Sequence, residues 1–475
     1  MTARVAPAPA RLARGALLRP LGLAGWDEVE AVVLAALATE APLLLIGPHG
    51  SAKTLVLNRL AEVLGLSHRH YNASILSFDD LVGFPVPRDG KVEYLQTPAT
   101  IWEAESVLVD EISRCRPEVQ NKLFPLIHER VVQGMPLPRL RFRWAAMNPP
   151  LSSEGEPDGP SYAGSDPLDI ALADRFAFVV KAPGLSELSA DEQKRALTPA
   201  PFHPELLRAK VLALIETTRR TLAELEPAEG PTATEYTLLV ARQMEGAGHP
   251  FSTRRAVQLS RNLLAVRAAT LALEESAASP EGSFLLALRC SIPDSAWGHA
   301  VPVEKLLGVH RSAWAAAGMK EDSPRRRLLS ARSLFAKIGI GLEGSLPAPE
   351  AATAFVDAYS ALPRSERLVT AAVVMPLLCN RRDLPVAALE PVARDWASMA
   401  SVATQGVCIG PSAAWKRTAV STGIPRLDGR SKRGRALLCV ATTLLFEDVP
   451  FEVAGLEATW EEVTAAVKSR PGRAA

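Results

Sequence analysis

Leu43-Leu44-Leu45-Ile46-Gly47-Pro48-His49-Gly50-Ser51-Ala52-Lys53-Thr54 decides the fold: four apolar residues run into a loop of small residues, and a helical pattern starts at once behind it. A strand that is apolar at every position is buried on both faces, the condition of a parallel sheet with helices on either side. Leu57, Leu60 and Leu64 then recur at i, i+3 and i+7, the spacing of one helix face. Further apolar runs at 69–73, 106–109, 142–147 and 176–180 supply four more strands, and Val119, Leu123, Leu126 and Ile127 supply another helical face between them. The expectation is an α/β domain over residues 22–182 with a five-stranded parallel sheet.

The loop itself has a chemical reading. A chain that wraps phosphates must turn tightly and aim successive N–H groups inward, which favours Gly47, Gly50, Ser51 and Ala52, and the helix start behind it adds a favourable dipole for anions. Pro48, His49 and Leu55 complete the stretch expected against the nucleotide. Lys53 reaches the β- and γ-phosphates as a point charge, and the Thr54 hydroxyl binds Mg²⁺. Ala52 stands where the pattern G-x-x-x-x-G-K-[ST] usually has its second glycine. The strand at 106–109 ends in Asp110-Glu111, at the strand edge where an open parallel sheet collects ligands. Asp110 then holds the Mg²⁺ shell and Glu111 polarises the attacking water. The strand at 142–147 runs into Asn148-Pro149-Pro150, and an amide there orients the same water.

Composition narrows the rest. The 475 residues carry 53 Lys and Arg against 52 Asp and Glu, a balance that argues against a wholesale polyanion binder. With 48% hydrophobic and 22% charged residues the chain is globular rather than disordered. Five cysteines with no C-x-x-C pair indicate neither a zinc module nor a disulfide framework and fit a reducing cytosol. The longest apolar runs fall short of the ~18 residues a membrane helix needs. The first 21 residues carry four arginines without a continuous apolar core and read as a loose lead-in. Helical stripes at Leu207, Val211, Leu214, Thr218, Leu222 and Leu225, and at Ala256, Leu259, Leu263 and Val266, make residues 183–279 a helical unit. Residues 280–475, rich in Ala and Leu and broken by Pro and Gly, read as mostly helical.

Together GPHGSAKT, SVLVDE, AAMNPP, LADRF and STRRAVQL resemble the MoxR family of AAA+ ATPases, relatives of the RavA and NorQ/CbbQ ATPases, over about residues 22–272. In that family Ala before the loop lysine is usual, so Ala52 fits. The resemblance implies an AAA+ P-loop domain, an α-helical lid and an additional C-terminal domain. It makes Lys53 and Thr54 the Walker A pair, Asp110 and Glu111 Walker B, Asn148 sensor 1, Arg175 the arginine finger and Arg254 sensor 2, with Arg255 as the fallback. Residues 83–95 resemble the hairpin inserted in helix 2, which projects toward a central pore, or are an ordinary surface hairpin. The resemblance further implies ATP and Mg²⁺ as cofactors, a homo-hexameric ring and a cytoplasmic location. Its expected role is remodelling, maturation or assembly of a partner complex, beside a separate von Willebrand A-domain protein, because no D-x-S-x-S motif is present here.

Two rival readings share these motifs: a ring scaffold held by ATP with little hydrolysis, and a DNA-directed motor. The second rests on the basic run at 411–435, with Lys416, Arg417, Arg426, Arg430, Lys432, Arg433 and Arg435 against Asp428 alone, which also fits a solvated loop. His68 and His70 lack a third metal ligand nearby in sequence, and the tryptophans of the C-terminal part read as core or contact residues.

Overall fold

The computed structural model describes residues 15–88, 90–150, 164–198, 201–246, 248–273, 279–331, 333–379, 386–402 and 414–468. The chain divides into two compact units, the first ending at Trp314 and the second starting at Ala315. The first unit therefore keeps some 35 residues that the sequence pattern assigned to the C-terminal part.

The strands of the first unit are β1 Leu43–Ile46, β2 His68–Asn72, β3 Phe84–Arg88, β4 Lys91–Leu95, β5 Ser106–Asp110, β6 Val131–Val132, β7 Met135–Pro136, β8 Phe142–Met147 and β9 Phe178–Lys181. Five of them form one sheet in the order β2-β5-β8-β1-β9. Every pairing in it is parallel, with Leu43 opposite Trp144 and Phe178 on its two sides. All four residues of β1 and all six of β8 are buried, which is why these runs carry no polar alternation. The helices are α1 Glu30–Thr39, α2 Lys53–Leu64, α3 Phe78–Val82, α4 Pro117–Glu129, α5 Ile170–Ala173, α6 Ala190–Leu197, α7 Pro204–Gly246, α8 Thr253–Leu273, α9 Pro280–Arg289 and α10 Val303–Ala317. Each parallel crossover returns the chain to the same edge of the sheet, so the segments after β1, β5 and β8 all emerge together.

Residues 15–21, expected as a loose lead-in, are instead packed. The carboxylate of the buried Glu30 accepts the backbone N–H groups of Gly15, Leu17 and Leu18, each at 2.7 Å, and Leu17, Leu18 and Leu21 are buried. No local pattern announces this packing, because the anchor lies fifteen residues downstream. In the lid, α7 runs for 43 residues straight through Pro227 and Pro231, residues that ordinarily end or kink a helix. Both prolines are exposed, while the expected stripe of Val211, Leu214 and Thr218 is buried and holds the helix to its neighbours. Tyr236 closes the lid core: its hydroxyl bonds His310 Nδ1 at 2.8 Å and its ring meets Phe284 edge-on.

The hairpin β3–β4 is present where residues 83–95 predicted it, although Asp89 of its turn lies outside the described residues. Its root requires glycine: Gly83 has φ +96°, and a Cβ there would come within 2.5 Å of the Leu95 carbonyl oxygen. Phe84, Tyr94 and Leu95 are exposed along it.

The second unit is helical: α11 Pro324–Ser330, α12 Leu334–Leu342, α13 Ala348–Ser360, α14 Arg364–Leu378, α15 Val386–Val402, α16 Ala414–Thr418, α17 Lys432–Phe446 and α18 Val453–Lys468. Phe355, Tyr359, Leu368, Val392, Val440 and Val463 form its core. A buried Asp395 joins three helices, accepting from the Tyr359 hydroxyl at 2.7 Å and from Arg367 Nε at 2.8 Å, with Arg364 as a third partner. Among the described residues no helix is long and apolar enough to cross a membrane.

One pH dependence follows from His68. Its ring sits between Ser106 Oγ at 2.8 Å and Asn58 Oδ1 at 3.1 Å, and burial, assisted by His70 and Arg69, lowers its pKa from 6.5 to about 4. Between pH 6.5 and 4 the unfolded chain therefore binds more protons than the folded one, and stability falls with acidification, by about 3 kcal/mol in total. Chemical denaturation at pH 7 and pH 4 should show that loss in the wild type, and His68→Gln should remove most of the difference.

Candidate functional site

Lys53 opens α2, and its ammonium folds back over the loop rather than pointing to solvent. Nζ donates to the carbonyl oxygens of Gly47 and Pro48, each at 2.8 Å, and to Asn148 Oδ1 at 3.2 Å. The residue is 8% exposed, and burial lowers its pKa against the opposing pull of Glu111 and Asp110. The loop backbone is as tight as its small residues imply. A Cβ on Gly47 would lie 2.8 Å from Ala182 Cβ, and Gly50 takes φ +74° with open space beside it. Ala52 also takes a left-handed φ of 62°, the conformation that explains why glycine is usual there and which costs a non-glycine residue ~1–2 kcal/mol.

The acidic strand end meets the loop directly. Thr54 Oγ1 donates to Asp110 Oδ2 at 2.8 Å, joining the starts of α2 and the end of β5 across 56 residues of sequence. Burial pushes the Asp110 carboxyl up, but hydrogen bonds from His70, Thr54 and the Glu111 N–H hold it below its ordinary value. Glu111 sits at φ 54°, a left-handed turn that swings its side chain toward the end of β8. There Asn148 Nδ2 donates to both carboxylate oxygens at 3.3 and 3.4 Å, and Arg114 Nε lies 3.1 Å from Oε2. Lys53, Thr54, Asp110, Glu111 and Asn148 thus form one connected cluster at the carboxyl ends of the strands. His49 and Leu55 are exposed beside it.

Mg²⁺-ATP suits these donors. A hydroxyl and a carboxylate in contact are hard oxygen ligands, and Mg²⁺ takes only one or two of these from the protein, the rest from phosphates and water. Sequence reasoning missed His70 and Arg114. His70 reaches Asp110 at 3.3 Å only because β2 pairs with β5, a register no local pattern encodes.

The arginines lie elsewhere. Arg175 Nη1 donates to the Ala171 carbonyl at 2.6 Å, and its guanidinium rests 4.6 Å above the Phe124 ring. Arg175 Nε is buried without a hydrogen-bond partner among the described residues. Burial lowers the Arg175 pKa, and the charge of Arg254 lowers it further, so the two guanidiniums are neighbours. Arg254 reaches Asp174 Oδ2 at 3.2 Å. Arg255, 2% exposed, is spent on structure: Nε on Asp174 at 3.3 Å, Nη1 on the carbonyls of Phe176 and Ser291 at 3.0 and 2.9 Å. This group sits before β9 starts, where Ala177 and Phe178 N–H both reach the Pro42 carbonyl, at the entry to β1. The phosphate loop leaves the exit of β1, about 16 Å away at ~3.3 Å per residue. Arg254 is therefore held with Arg175 at the other end of the strands from its own chain's phosphate loop.

Parallel sheet, phosphate loop, acidic strand end and following amide define a nucleotide-binding domain of the AAA+ class. Residues 42–143 match the family of the AAA domain of the dynein-related subfamily. Within that class the likeness is to the MoxR-family ATPases. Chaperone MoxR1 of Mycobacterium tuberculosis is 29% identical over 164 residues, 33% of this chain and 40% of that protein. Structural protein ORF618 of Acidianus two-tailed virus is 27% identical over 219 residues, 42% of this chain and 33% of that protein. The chain thus spans less than half the length of these relatives. An ATPase candidate from Cytophaga hutchinsonii, solved as a crystal structure, aligns at 22% identity with a TM-score of 0.37, covering 54% of this chain and 78% of that one.

The two adjacent arginines should separate cleanly in stability. Arg255→Ala removes one of the partners of Asp174, leaves the carbonyls of Phe176 and Ser291 without theirs and should cost about 3–5 kcal/mol. Arg254→Ala loses one half-exposed pair and should cost less than about 1 kcal/mol. Denaturant titration of the two purified variants measures both.

Proposed function

We propose that this protein is an ATPase that couples Mg²⁺-ATP hydrolysis to the remodelling, maturation or assembly of a partner protein complex, and that it works as a ring, most simply a hexamer. The observation that carries this reading is the split between its two charged centres. One chain offers the phosphate loop, the Mg²⁺ oxygens, Glu111 and Asn148 at one end of the sheet. It offers Arg175, with a buried unpaired Nε, and Arg254, paired with Asp174, at the other. Guanidinium groups suit the equatorial oxygens of a phosphoryl group in transfer, and a finger from a neighbouring chain contributes ~10³–10⁵ in rate. Both arginines then act on the nucleotide of the adjoining copy.

In this mechanism the Lys53 ammonium exchanges its carbonyl partners for phosphate oxygens. Thr54 and Asp110 hold the metal, whose charge neutralises the phosphates. Glu111 takes a proton from the attacking water, and the Asn148 amide fixes the carboxylate that does so. The exposed Phe84, Tyr94 and Leu95 of the β3–β4 hairpin give a surface for engaging client polypeptide. A separate von Willebrand A-domain protein is the partner class we propose, and a cytoplasmic setting suits the free Cys115, Cys290, Cys379 and Cys439.

Phosphate-release assays on mixed variants test the arrangement. Glu111→Gln and Arg175→Ala should each bind ATP and lose about 10²-fold or more in turnover. Mixing them restores whole sites between unlike copies, so activity should return in part. Arg254→Ala mixed with Arg175→Ala should stay inactive, since both arginines come from the same neighbour; recovery in that mixture places Arg254 over its own nucleotide. Lys53→Ala should bind ATP weakly in every mixture.

A further inference from the structure

The second unit carries a concave surface that the ATPase reading does not use. The exposed faces of α14, α17 and α18, with Trp396 of α15, enclose a groove of about 820 Å³. Val373, Leu377, Trp460 and Val467 line it beside Trp396, and Leu377 and Trp396 are 37% and 38% exposed. An apolar concavity of this size is within the range of binding sites and is unusual on a surface that meets only water.

Its rim is cationic. Lys432, Arg433, Arg435 and Lys468 border the groove, so part of the basic run noted in the sequence is the edge of an apolar trough rather than a free loop. Arg433 is paired with Glu457 and Glu461. Among the described residues no carboxylate lies within ion-pair distance of Lys432, Arg435 or Lys468.

We propose that this groove docks an acidic amphipathic helix of a partner polypeptide. Apolar side chains at i, i+3, i+4 and i+7 of the partner fill the trough between the two tryptophans, and flanking carboxylates meet the lysines and arginine on the rim. Nucleic acid fits less well. Its bases need flat faces for stacking, and beside Trp396 and Trp460 the trough is lined by the aliphatic Val373, Leu377 and Val467. Residues 469–475 fit no better, since they bring Arg470 and Arg473 and no acidic side chain to a basic rim.

Fluorescence anisotropy with the full chain tests the proposal without nucleotide, so its outcome is independent of ATP turnover. The probes are a labelled 16-residue helix with leucines on one face and glutamates elsewhere, the same peptide with lysines for glutamates, and single-stranded dT20. The glutamate peptide should bind and weaken with salt, with the lysine peptide and dT20 at least about tenfold weaker. Leu377→Asp, at an exposed position, should lower affinity about tenfold or more with an unchanged melting temperature. The triple variant Lys432→Glu, Arg435→Glu, Lys468→Glu should invert the preference toward the lysine peptide. Equal binding of both peptides, preference for dT20, no binding of the glutamate peptide, or indifference to both variants overturns the proposal.

Discussion

Parallel strands share one polarity, and that constraint governs the molecule. Every crossover delivers its loop to the same edge of the sheet, so the phosphate loop after β1, the acids after β5 and the amide after β8 converge although 95 residues separate Lys53 from Asn148. The segments that enter the strands are gathered with equal necessity at the other edge, and there the chain places Arg175, Arg254 and Arg255 around Asp174. A sheet of such short strands is wide enough to keep these two ends apart. The phosphate loop with its acids and the Arg175–Arg254 pair thus lie at opposite ends of the strands, the arrangement on which the proposed sharing of a site between copies rests.

Much of this was legible in residues. The five apolar runs became strands with ends shifted by at most two positions, because burial on both faces leaves an unambiguous pattern. Lys53, Thr54, Asp110, Glu111 and Asn148 were found one motif at a time, and their meeting follows from the fold class alone. Ala52, a departure from the usual glycine, adopts the left-handed turn that glycine would have taken. What stayed hidden depends on register and distance. His70 touches Asp110 through strand pairing, and Glu30 ties down the lead-in through N–H groups that any sequence would offer. The choice between Arg254 and Arg255 could not be made from two adjacent identical residues. Burial separates them, spending Arg255 on carbonyl oxygens and leaving Arg254 half-exposed.

The helical parts were harder for a related reason. A periodic stripe reports that a helix has a buried face but not where the helix ends: α7 continues through two exposed prolines that lie in the stretch between its buried Thr218 and Ala233. In the second unit the ordering element is polar: Asp395, shared by Tyr359, Arg364 and Arg367, fixes α13, α14 and α15 together, and no local pattern announces it. The groove nearby arises because α14, α17 and α18 leave apolar side chains on a surface whose charged residues gather at the rim. The two proposals, nucleotide turnover and partner docking, thus fall on separate units of one chain.

The division of the site between copies is the central claim, and a cryo-electron microscopy map of the assembled protein with Mg²⁺ and a nonhydrolysable ATP analogue addresses it directly. The account predicts the γ-phosphate against Lys53 of one copy with the guanidinium groups of Arg175 and Arg254 from the adjoining copy in hydrogen-bond reach. A map with Arg254 on the phosphate of its own chain, or with no nucleotide beside Lys53, contradicts it.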